Sequence, residues 1–135
     1  MELENFREHF NCSDMFSVKS GMKLTELREG YAKVEMIIDD YCKNYMGSMH
    51  GGLLYTMADV AAGTSMVYNG KQAVTLNAST EYIKAAISGL VIAEGRVISK
   101  GKTICRCEVD VHGEDGTTYC LSHITMFITD KDIMY

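Results

Sequence analysis

A short stretch near the middle of the chain contains the residue types most able to do chemistry. His50-Gly51-Gly52 precedes a long apolar segment, in which Asp59 is the only charged residue from Gly51 to Gly70. A single carboxylate on a helix that is apolar nearly all round is costly to bury without a partner. Asp59 therefore either reaches solvent or a neighbouring backbone group, or it lies in a cleft as a base or nucleophile. The pattern leaves both interpretations open.

The two glycines predict an unusually accessible start to this helix. The first backbone N–H groups of a helix have no partners within it, and the helix dipole favours negative charge at that end. Because Gly51 and Gly52 lack side chains, a ligand can approach these N–H groups closely. Such a terminus can bind an anion or polarise a carbonyl oxygen as an oxyanion hole. Glycines also fill tight turns, so the pair alone is weak evidence.

Hydrophobic periodicity predicts the elements that must position these residues. A short amphipathic helix is expected at about 2–11, two strands at 22–29 and 31–39, and the long helix at 51–67. Four further strands are expected at Ala73–Ala85, Leu90–Ser99, Thr103–His112 and Thr117–Thr129. Their short separators predict consecutive antiparallel hairpins. One apolar helix against one antiparallel sheet is an α+β architecture.

Composition narrows the function classes. The 135 residues carry 13 basic and 18 acidic side chains, a net charge of −5 that argues against a nucleic-acid-binding protein. No apolar run approaches the ~20 residues that span a bilayer, and the N-terminus lacks the pattern of a signal peptide. The five cysteines are an odd number without zinc-site spacing. We therefore expect one cytoplasmic domain over residues 1–135, with no metal and no cofactor.

Several motifs together resemble the hotdog-fold acyl-CoA thioesterases of the phenylacetate-pathway (PaaI-like) type. Asn44 lies six residues before the histidine of His50-Gly51-Gly52, and Asp59 lies nine residues after it, as in that family. The resemblance covers about residues 22–129, and its other motifs are Val74-Thr75-Leu76, Tyr82-Ile83-Lys84 and Gly101-Lys102. Ala85-Ala86 departs from the family, whose members usually have a proline there. The resemblance implies a hotdog fold, in which about six antiparallel strands wrap one long central helix.

The resemblance also implies a role for each residue of the predicted catalytic site. Asn44 positions or polarises the thioester carbonyl, and the Gly51 N–H forms the oxyanion hole. Asp59 attacks the carbonyl carbon or activates water, and Thr75 positions that water or the carboxylate. His50 supports the loop and Asn44 rather than transferring protons. Three further residues are candidates for the acyl pocket, although each also suits the core: Met46, Met49 and Tyr82.

A basic segment offers a site for the other end of such a substrate. From residue 84 to residue 106 the chain has net charge +4, with Glu94 as the only acid. The basic residues are Lys84, Arg96, Lys100, Lys102 and Arg106. Lys100-Gly101-Lys102 lies at a predicted hairpin tip, where two amines and bare backbone can meet phosphates. Coenzyme A carries a diphosphate and a ribose phosphate, so the sequence predicts CoA binding here.

Helix geometry predicts the assembly. Gly51 and Asp59 are eight residues apart, which is roughly 12 Å along a helix. An attacking group must lie ~3 Å from a carbonyl carbon, so Asp59 cannot serve a carbonyl held at the start of its own helix. A homodimer in which each site takes Asp59 from the other chain solves this problem. We expect such a dimer, alone or as half of a tetramer.

Two other functions stay open at this point. A hotdog dehydratase or isomerase acts on acyl thioesters but pairs a catalytic histidine with an acid, whereas the Asn44 context here fits a thioesterase better. A non-catalytic acyl-CoA-binding protein would need an output module, and the ~20 residues before Met22 are too few for a DNA-binding domain. The acyl group itself is not predictable from the sequence.

Overall fold

The computed structural model describes residues 1–135 and contains three α-helices and one six-stranded sheet. The helices are α1 (Leu3–Ser13), α2 (Met15–Ser20) and α3 (Gly51–Ser65). The strands are β1 (Lys23–Arg28), β2 (Tyr31–Ile37), β3 (Lys71–Tyr82), β4 (Leu90–Lys100), β5 (Ile104–Gly113) and β6 (Thr118–Asp132). The predicted α+β architecture is therefore confirmed, with one long helix against an antiparallel sheet.

The order of strands differs from the prediction at one point. The sheet runs β1-β2-β4-β5-β6-β3, and β3 pairs with β6 rather than with its chain neighbour β4. The prediction that the last four strands form consecutive hairpins is thus wrong for β3 and β4. The segment 83–89 crosses from one edge of the sheet towards the middle. As a result β3 is an edge strand, with one side free of backbone partners.

The N-terminal region also contains more helix than predicted. The expected helix at about 2–11 extends to Ser13, and a second short helix, α2, follows it. Gly21, whose φ is +88°, caps the end of α2. The Asn11 side chain pairs with the backbone N–H and carbonyl of Leu24 at 2.8 Å each. This pairing ties α1 to β1. None of the helices is both long enough and apolar enough to cross a membrane.

Burial against the sheet, rather than intrinsic propensity, stabilises α3. Its sequence begins with two glycines, which are poor helix formers. Its core-facing side chains are almost fully covered: Leu54, Met57, Ala58, Ala61, Ala62, Thr64 and Ser65. Four of them, Leu54, Met57, Ala58 and Ala61, follow one another at helical spacing and so share one face of the helix. Asp59 is half-buried on the side of the helix that faces β3.

Small residues let α3 lie close to the sheet. A Cβ atom added at Gly95 of β4 would lie 2.6 Å from the Ala61 carbonyl oxygen, which is helix backbone and cannot rotate away. We expect Gly95→Ala to lower the free energy of unfolding by about 3 kcal/mol because the helix must shift. Chemical denaturation measures this change.

Gly63→Ala is the matched control for that substitution. Its added Cβ would meet only the flexible end of Met126, at an ordinary 3.5 Å. Because alanine favours helix over glycine, this variant should be more stable than the wild type by about 0.5–1 kcal/mol. Equal stabilities for the two variants would show that the close approach at Gly95 has no energetic consequence.

Candidate active site

The loop before α3 folds back on itself and fixes Asn44. Lys43 and Met49 form an isolated antiparallel bridge, and the Asn44 N–H donates to the Ser48 carbonyl at 2.8 Å. The Asn44 side-chain oxygen accepts the N–H of Met46 at 2.9 Å and the N–H of Ser48 at 3.3 Å. These bonds leave the side-chain NH₂ of Asn44 without a partner in the chain. Asn44 therefore offers two free donors to a carbonyl oxygen.

The start of α3 offers a further free donor. The Nδ1 atom of His50 accepts the N–H of Gly52 at 2.9 Å and so caps the helix. This bond places the ring proton of neutral His50 on Nε2. The N–H of Gly51 has no acceptor in the chain. His50 makes this bond to the helix rather than to Asn44, so its predicted support of Asn44 has no direct counterpart here.

Tyr82 lies over the same helix start. Its hydroxyl donates to the Gly51 carbonyl at 3.0 Å, and a Cβ added at Gly51 would lie 3.3 Å from its ring. Partial burial raises the pKa of Tyr82, with smaller contributions from Cys120 and Tyr55. The hydroxyl therefore stays protonated and keeps donating at neutral pH. A side chain at position 51 would press on this ring, which explains why glycine suits the position.

Asp59 contacts Thr75 directly. The Thr75 hydroxyl on β3 donates to Oδ1 of Asp59 at 2.6 Å. The other carboxylate oxygen, Oδ2, makes no hydrogen bond within the chain. One oxygen is thus held in place while the second has no partner in the chain, and a base or nucleophile needs such a free oxygen.

Gly51 and Asp59 lie at different cavities of the protomer. Gly51 lines a small cavity of about 210 Å³ together with Met49 and Tyr82. Asp59 lines a larger cavity of about 470 Å³ together with Thr75. Strand β3 runs alongside both cavities. Its residue Tyr82 contacts the start of α3, and its residue Thr75 contacts the middle of α3. The predicted oxyanion donors and the carboxylate of one chain therefore lie in two separate places, which are called half-sites below.

Comparison with known protein families identifies the family of the chain that contains these half-sites. The model of the thioesterase superfamily matches residues 46–120, more than half of the chain and the segment that contains the start of α3, Asp59 and Thr75. The chain belongs to the thioesterase superfamily. The protein is thus a thioester hydrolase, as the sequence predicted.

Individual relatives agree with this assignment. A protein of Archaeoglobus fulgidus named "Putative esterase" is 26% identical over 131 residues, which are 96% of this chain and 85% of that protein. The Escherichia coli PaaI protein, from the phenylacetic acid degradation operon, superposes with a TM-score of 0.92 at 20% identity, covering 98% and 96% of the two chains. This superposition confirms the predicted hotdog fold.

A third relative is a hypothetical thioesterase of Streptococcus pneumoniae that was solved with coenzyme A. It is 29% identical, with a TM-score of 0.78, over 83% of this chain and 91% of its own. The same protein was also solved as two alanine variants, at an aspartate and at a threonine 16 positions apart. In the present chain, Asp59 and Thr75 are also 16 positions apart.

The predicted phosphate-binding residues lie at one corner of the thioesterase. Lys100, Gly101 and Lys102 form the turn between β4 and β5, as predicted. They line a wide groove of about 850 Å³ that Lys71 and Lys131 also line. The amine of Lys100 lies 5.8 Å from the Tyr68 ring centre. Sequence reasoning missed Lys71 and Lys131, because only the pairing of β3 with β6 brings them to this turn.

The remaining basic residues do not join this corner within one protomer. The Lys84 N–H donates to the Tyr119 carbonyl, whereas Lys100 pairs with Cys105, itself paired with Met126. Residues 119 and 126 are about 24 Å apart along β6. Lys84 therefore lies far from Lys100 within one protomer, and its role in CoA binding stays a prediction.

Arg106 and Arg96 point to the outer face of the sheet, apart from the turn at residues 100–102. Arg106 lies between two buried cysteines on β5, so its side chain is on the sheet face away from α3. Arg96 stacks over Tyr31 and lies 3.6 Å from Glu94. These contacts give Arg96 a structural role on the outer face. Of the basic segment, only residues 100–102 lie together at a hairpin turn, as the sequence predicted.

The predicted acyl-pocket residues have different environments. Met49 is buried and Tyr82 is about half exposed, and both line the small cavity at Gly51. Met46 is 69% exposed and lines neither this cavity nor the one at Asp59. The larger cavity at Asp59, which apolar and polar side chains line together, was not predicted from the sequence. The spacing of Phe6 and Phe10 on the N-terminal helix could have indicated this cavity. The same spacing is equally typical of ordinary core packing.

Proposed function

We propose that this thioesterase hydrolyses acyl-CoA thioesters to a free acid and coenzyme A. The observation that carries the proposal is the pair of complementary half-sites: free N–H donors at Asn44 and Gly51, and a carboxylate at Asp59 with one free oxygen. Thioester hydrolysis needs both, because a carbonyl oxygen gains negative charge while its carbon is attacked. The related thioesterase of Streptococcus pneumoniae with coenzyme A supports CoA as the thiol.

The chemistry follows from these groups. The thioester oxygen accepts hydrogen bonds from the Gly51 N–H and the Asn44 amide, which stabilise the developing oxyanion. Asp59 either takes a proton from water as the water oxygen attacks the carbonyl carbon, or attacks that carbon itself to form an anhydride that water then cleaves. The carbon–sulfur bond breaks, and the CoA thiolate leaves with the electron pair. Thr75 holds Oδ1 of Asp59, so Oδ2 is the reacting oxygen.

Edge strand β3 supports a dimer that joins the half-sites. It runs for 12 residues with its outer edge unpaired, and it exposes Val74 and Leu76 at 53% and 57%. A long edge strand with exposed apolar side chains favours pairing with another copy of itself. Two-fold pairing of β3 places Asp59–Thr75 of one chain beside β3 of the other. We propose a homodimer with two shared sites, alone or as half of a tetramer.

Two further features complete the proposal. One sheet and one core involve both ends of the chain, so we infer that residues 1–135 act as a single thioesterase domain with the N-terminal helices as part of it. All five cysteines are unpaired, which supports a reducing, cytoplasmic location.

Release of free thiol from a panel of acyl-CoAs tests the function. We expect hydrolysis that depends on Asp59 and yields equal amounts of acid and CoA. A dehydratase or isomerase would change the acyl group without releasing thiol. A binding protein would retain acyl-CoA unchanged. Either of those results would overturn the proposal.

Lys100 and Lys102 are proposed to bind the phosphates of CoA. Replacing both with alanine should raise KM for acyl-CoA about tenfold or more, because charge-assisted hydrogen bonds to phosphate are lost. KM for the matching acyl-pantetheine should stay the same, since that substrate lacks the nucleotide. Steady-state kinetics with both substrates measures the difference.

The control removes the same charge elsewhere. Lys19 on α2 and Lys23 on β1 line neither the groove at residues 100–102 nor the cavities at Gly51 and Asp59. Lys19→Ala with Lys23→Ala should leave KM for both substrates unchanged at fixed ionic strength. If the Lys100 and Lys102 double variant raised KM equally for acyl-CoA and acyl-pantetheine, the phosphate role would be wrong.

A further inference from the structure

Each of the two half-sites has basic residues of its own beside it. Lys84 lines the cavity at Gly51. Lys71 lines the cavity at Asp59, and it also lines the basic groove at residues 100–102. The Asp59 cavity and the basic groove of one chain therefore meet at Lys71, whereas Lys84 belongs to the other half-site.

A bulge in β3 puts two residues of this strand on the same face. Thr75 contacts Asp59 and Tyr82 contacts Gly51, so both side chains lie on the side of the sheet that α3 covers. Simple alternation would put residues seven positions apart on opposite faces. The register of β3 against β6 shifts by one residue between Thr75 and Asn77, and this extra residue restores the common face.

The two half-sites fix how β3 faces its own copy. In a two-fold antiparallel pairing, the Gly51 half-site of one chain meets the Asp59 half-site of the other when Tyr82 lies opposite the partner's Thr75. Residues that face each other across two strands must have their side chains on the same face of the sheet. Tyr82 and Thr75 meet this condition because of the bulge.

The pairing of β3 with β6 locates the centre of the interface. Tyr82 and Thr75 pair with β6 at positions three residues to either side of His123, and His123 itself pairs with Ser79. Ser79 is therefore midway between the two residues that face each other. Two copies of Ser79 lie together at the two-fold axis.

This register brings Lys84 to the partner's basic groove. The Lys84 N–H donates to the Tyr119 carbonyl, so the chain still runs beside β6 two residues after Tyr82. Lys84 therefore lies opposite a point two residues before the partner's Thr75. The partner's Lys71 is only two residues further, which is about 7 Å along the strand.

The length of CoA decides which groove its phosphates reach. About 13 bonds separate the thioester sulfur from the nearest phosphorus, and a chain of that length spans at most roughly 15 Å. Thr75 and Lys71 are four residues apart on β3, which is about 13 Å. Tyr82 and Lys71 of one chain are 11 residues apart, about 36 Å. The phosphates therefore reach the groove of the chain that supplies Asp59, and not the groove of the chain that supplies Gly51.

We propose, resting on the thioesterase function above, that both chains bind the phosphates of each CoA in a fixed division. The chain that supplies Asp59 contributes Lys100 and Lys102. The chain that supplies the oxyanion donors contributes Lys84 to the same phosphates. Ser79 faces its own copy at the centre of the interface that joins them.

A mixed dimer that lacks different lysines in its two chains tests this division without relying on activity. One chain carries Lys100→Ala with Lys102→Ala, the other carries Lys84→Ala, and two affinity tags select the mixed dimer. One site should keep all three lysines and bind coenzyme A with the wild-type Kd. The second site should lack all three and bind about tenfold or more weakly. Calorimetry with coenzyme A measures both sites.

The homodimers of the same variants are the controls, because both of their sites lack the same lysines. Coenzyme A should bind about tenfold or more weakly to the double variant and about threefold or more weakly to Lys84→Ala. Lys19→Ala removes an exposed amine that lines neither the groove nor the two cavities, and it should keep the wild-type Kd. A mixed dimer without a wild-type site, or a Lys84→Ala homodimer with wild-type Kd, would overturn the proposal.

Cross-linking tests the register by itself. Ser79→Cys should form a disulfide between the two chains under mild oxidation, because residues directly opposite each other have Cβ atoms about 5 Å apart. Cys12, the exposed native cysteine, is replaced by serine in all variants. Glu81→Cys is the control, since Glu81 is exposed but lies opposite the partner's Asn77 and not its own copy. Absence of the Ser79→Cys cross-link, or an equal yield with Glu81→Cys, would show that the register is wrong.

Hydrolysis separates this proposal from the function on which it rests. If the mixed dimer binds coenzyme A as expected but no acyl-CoA releases thiol, the hydrolase function fails and the division of the CoA site stands. If the wild type releases thiol but the mixed dimer has no site with wild-type Kd, the function stands and the division fails.

Discussion

Replacing Asp59 with asparagine is expected to reduce kcat for acyl-CoA hydrolysis by about 10³-fold or more. Asparagine keeps the size of the side chain and can still accept the Thr75 hydroxyl bond seen at 2.6 Å. It cannot take a proton from water or attack a carbonyl at a useful rate, and loss of such a group costs ~10²–10⁴-fold. KM should change little, because the substrate is held by other residues.

Asp40→Asn is the control for this substitution. The Asp40 side chain is fully exposed in the turn after β2, so the same chemical change there should leave kcat within about twofold of wild type. Thermal unfolding should show that both variants are folded. An Asp59→Asn enzyme with wild-type kcat would exclude Asp59 as the reacting group.

Substitutions at Thr75 test how much the orientation of the Asp59 carboxylate contributes to the rate. Thr75→Val keeps the shape of the side chain but removes the hydroxyl that holds Oδ1 of Asp59. The expected loss in kcat is about tenfold, with KM unchanged, because the carboxylate remains but is less well oriented. Thr75→Ser should restore most of the activity. No recovery with serine would mean that the hydroxyl bond does not position Asp59.

Two inactive variants are expected to regain activity when their chains are mixed. Asn44→Ala and Asp59→Ala should each inactivate a homodimer, since every site then lacks one member. After the two are refolded together in equal amounts, half of the dimers are mixed if chains pair at random. Each mixed dimer has one intact site and one site that lacks both residues, so about 25% of wild-type activity returns.

The controls for this experiment depend on subunit exchange. Mass spectrometry of chains with different tags should confirm mixed dimers, and mixing the folded variants without refolding should give less recovery. A site contained in one chain predicts no recovery, because each site would keep its own lesion. A mixture that contains mixed dimers but is no more active than its parents would show that Asp59 does not act across the interface.

Local patterns in the sequence were sufficient to predict much of the fold and to name the candidate site residues. The apolar run with Asp59 predicted α3 to within two residues of its observed end at Ser65. Alternating residues and glycine turns placed the six strands, because side-chain periodicity and turn preference act over a few neighbouring residues. The spacing of Asn44, His50 and Asp59 indicated the family, because it resembles the pattern of the hotdog-fold acyl-CoA thioesterases.

Only the tertiary structure decided how those elements come together. The short separator predicted at 86–89 suggested a hairpin, yet β3 pairs with β6 at the far edge. That pairing gives Asp59 its Thr75 partner and brings Lys71 to the turn at Lys100, while it leaves Lys84 at the opposite end. The cavity between α1, α3 and the C-terminal residues likewise joins segments more than a hundred residues apart. Strand partners and cavities depend on which surfaces exclude water together, and no local pattern in the sequence records that choice.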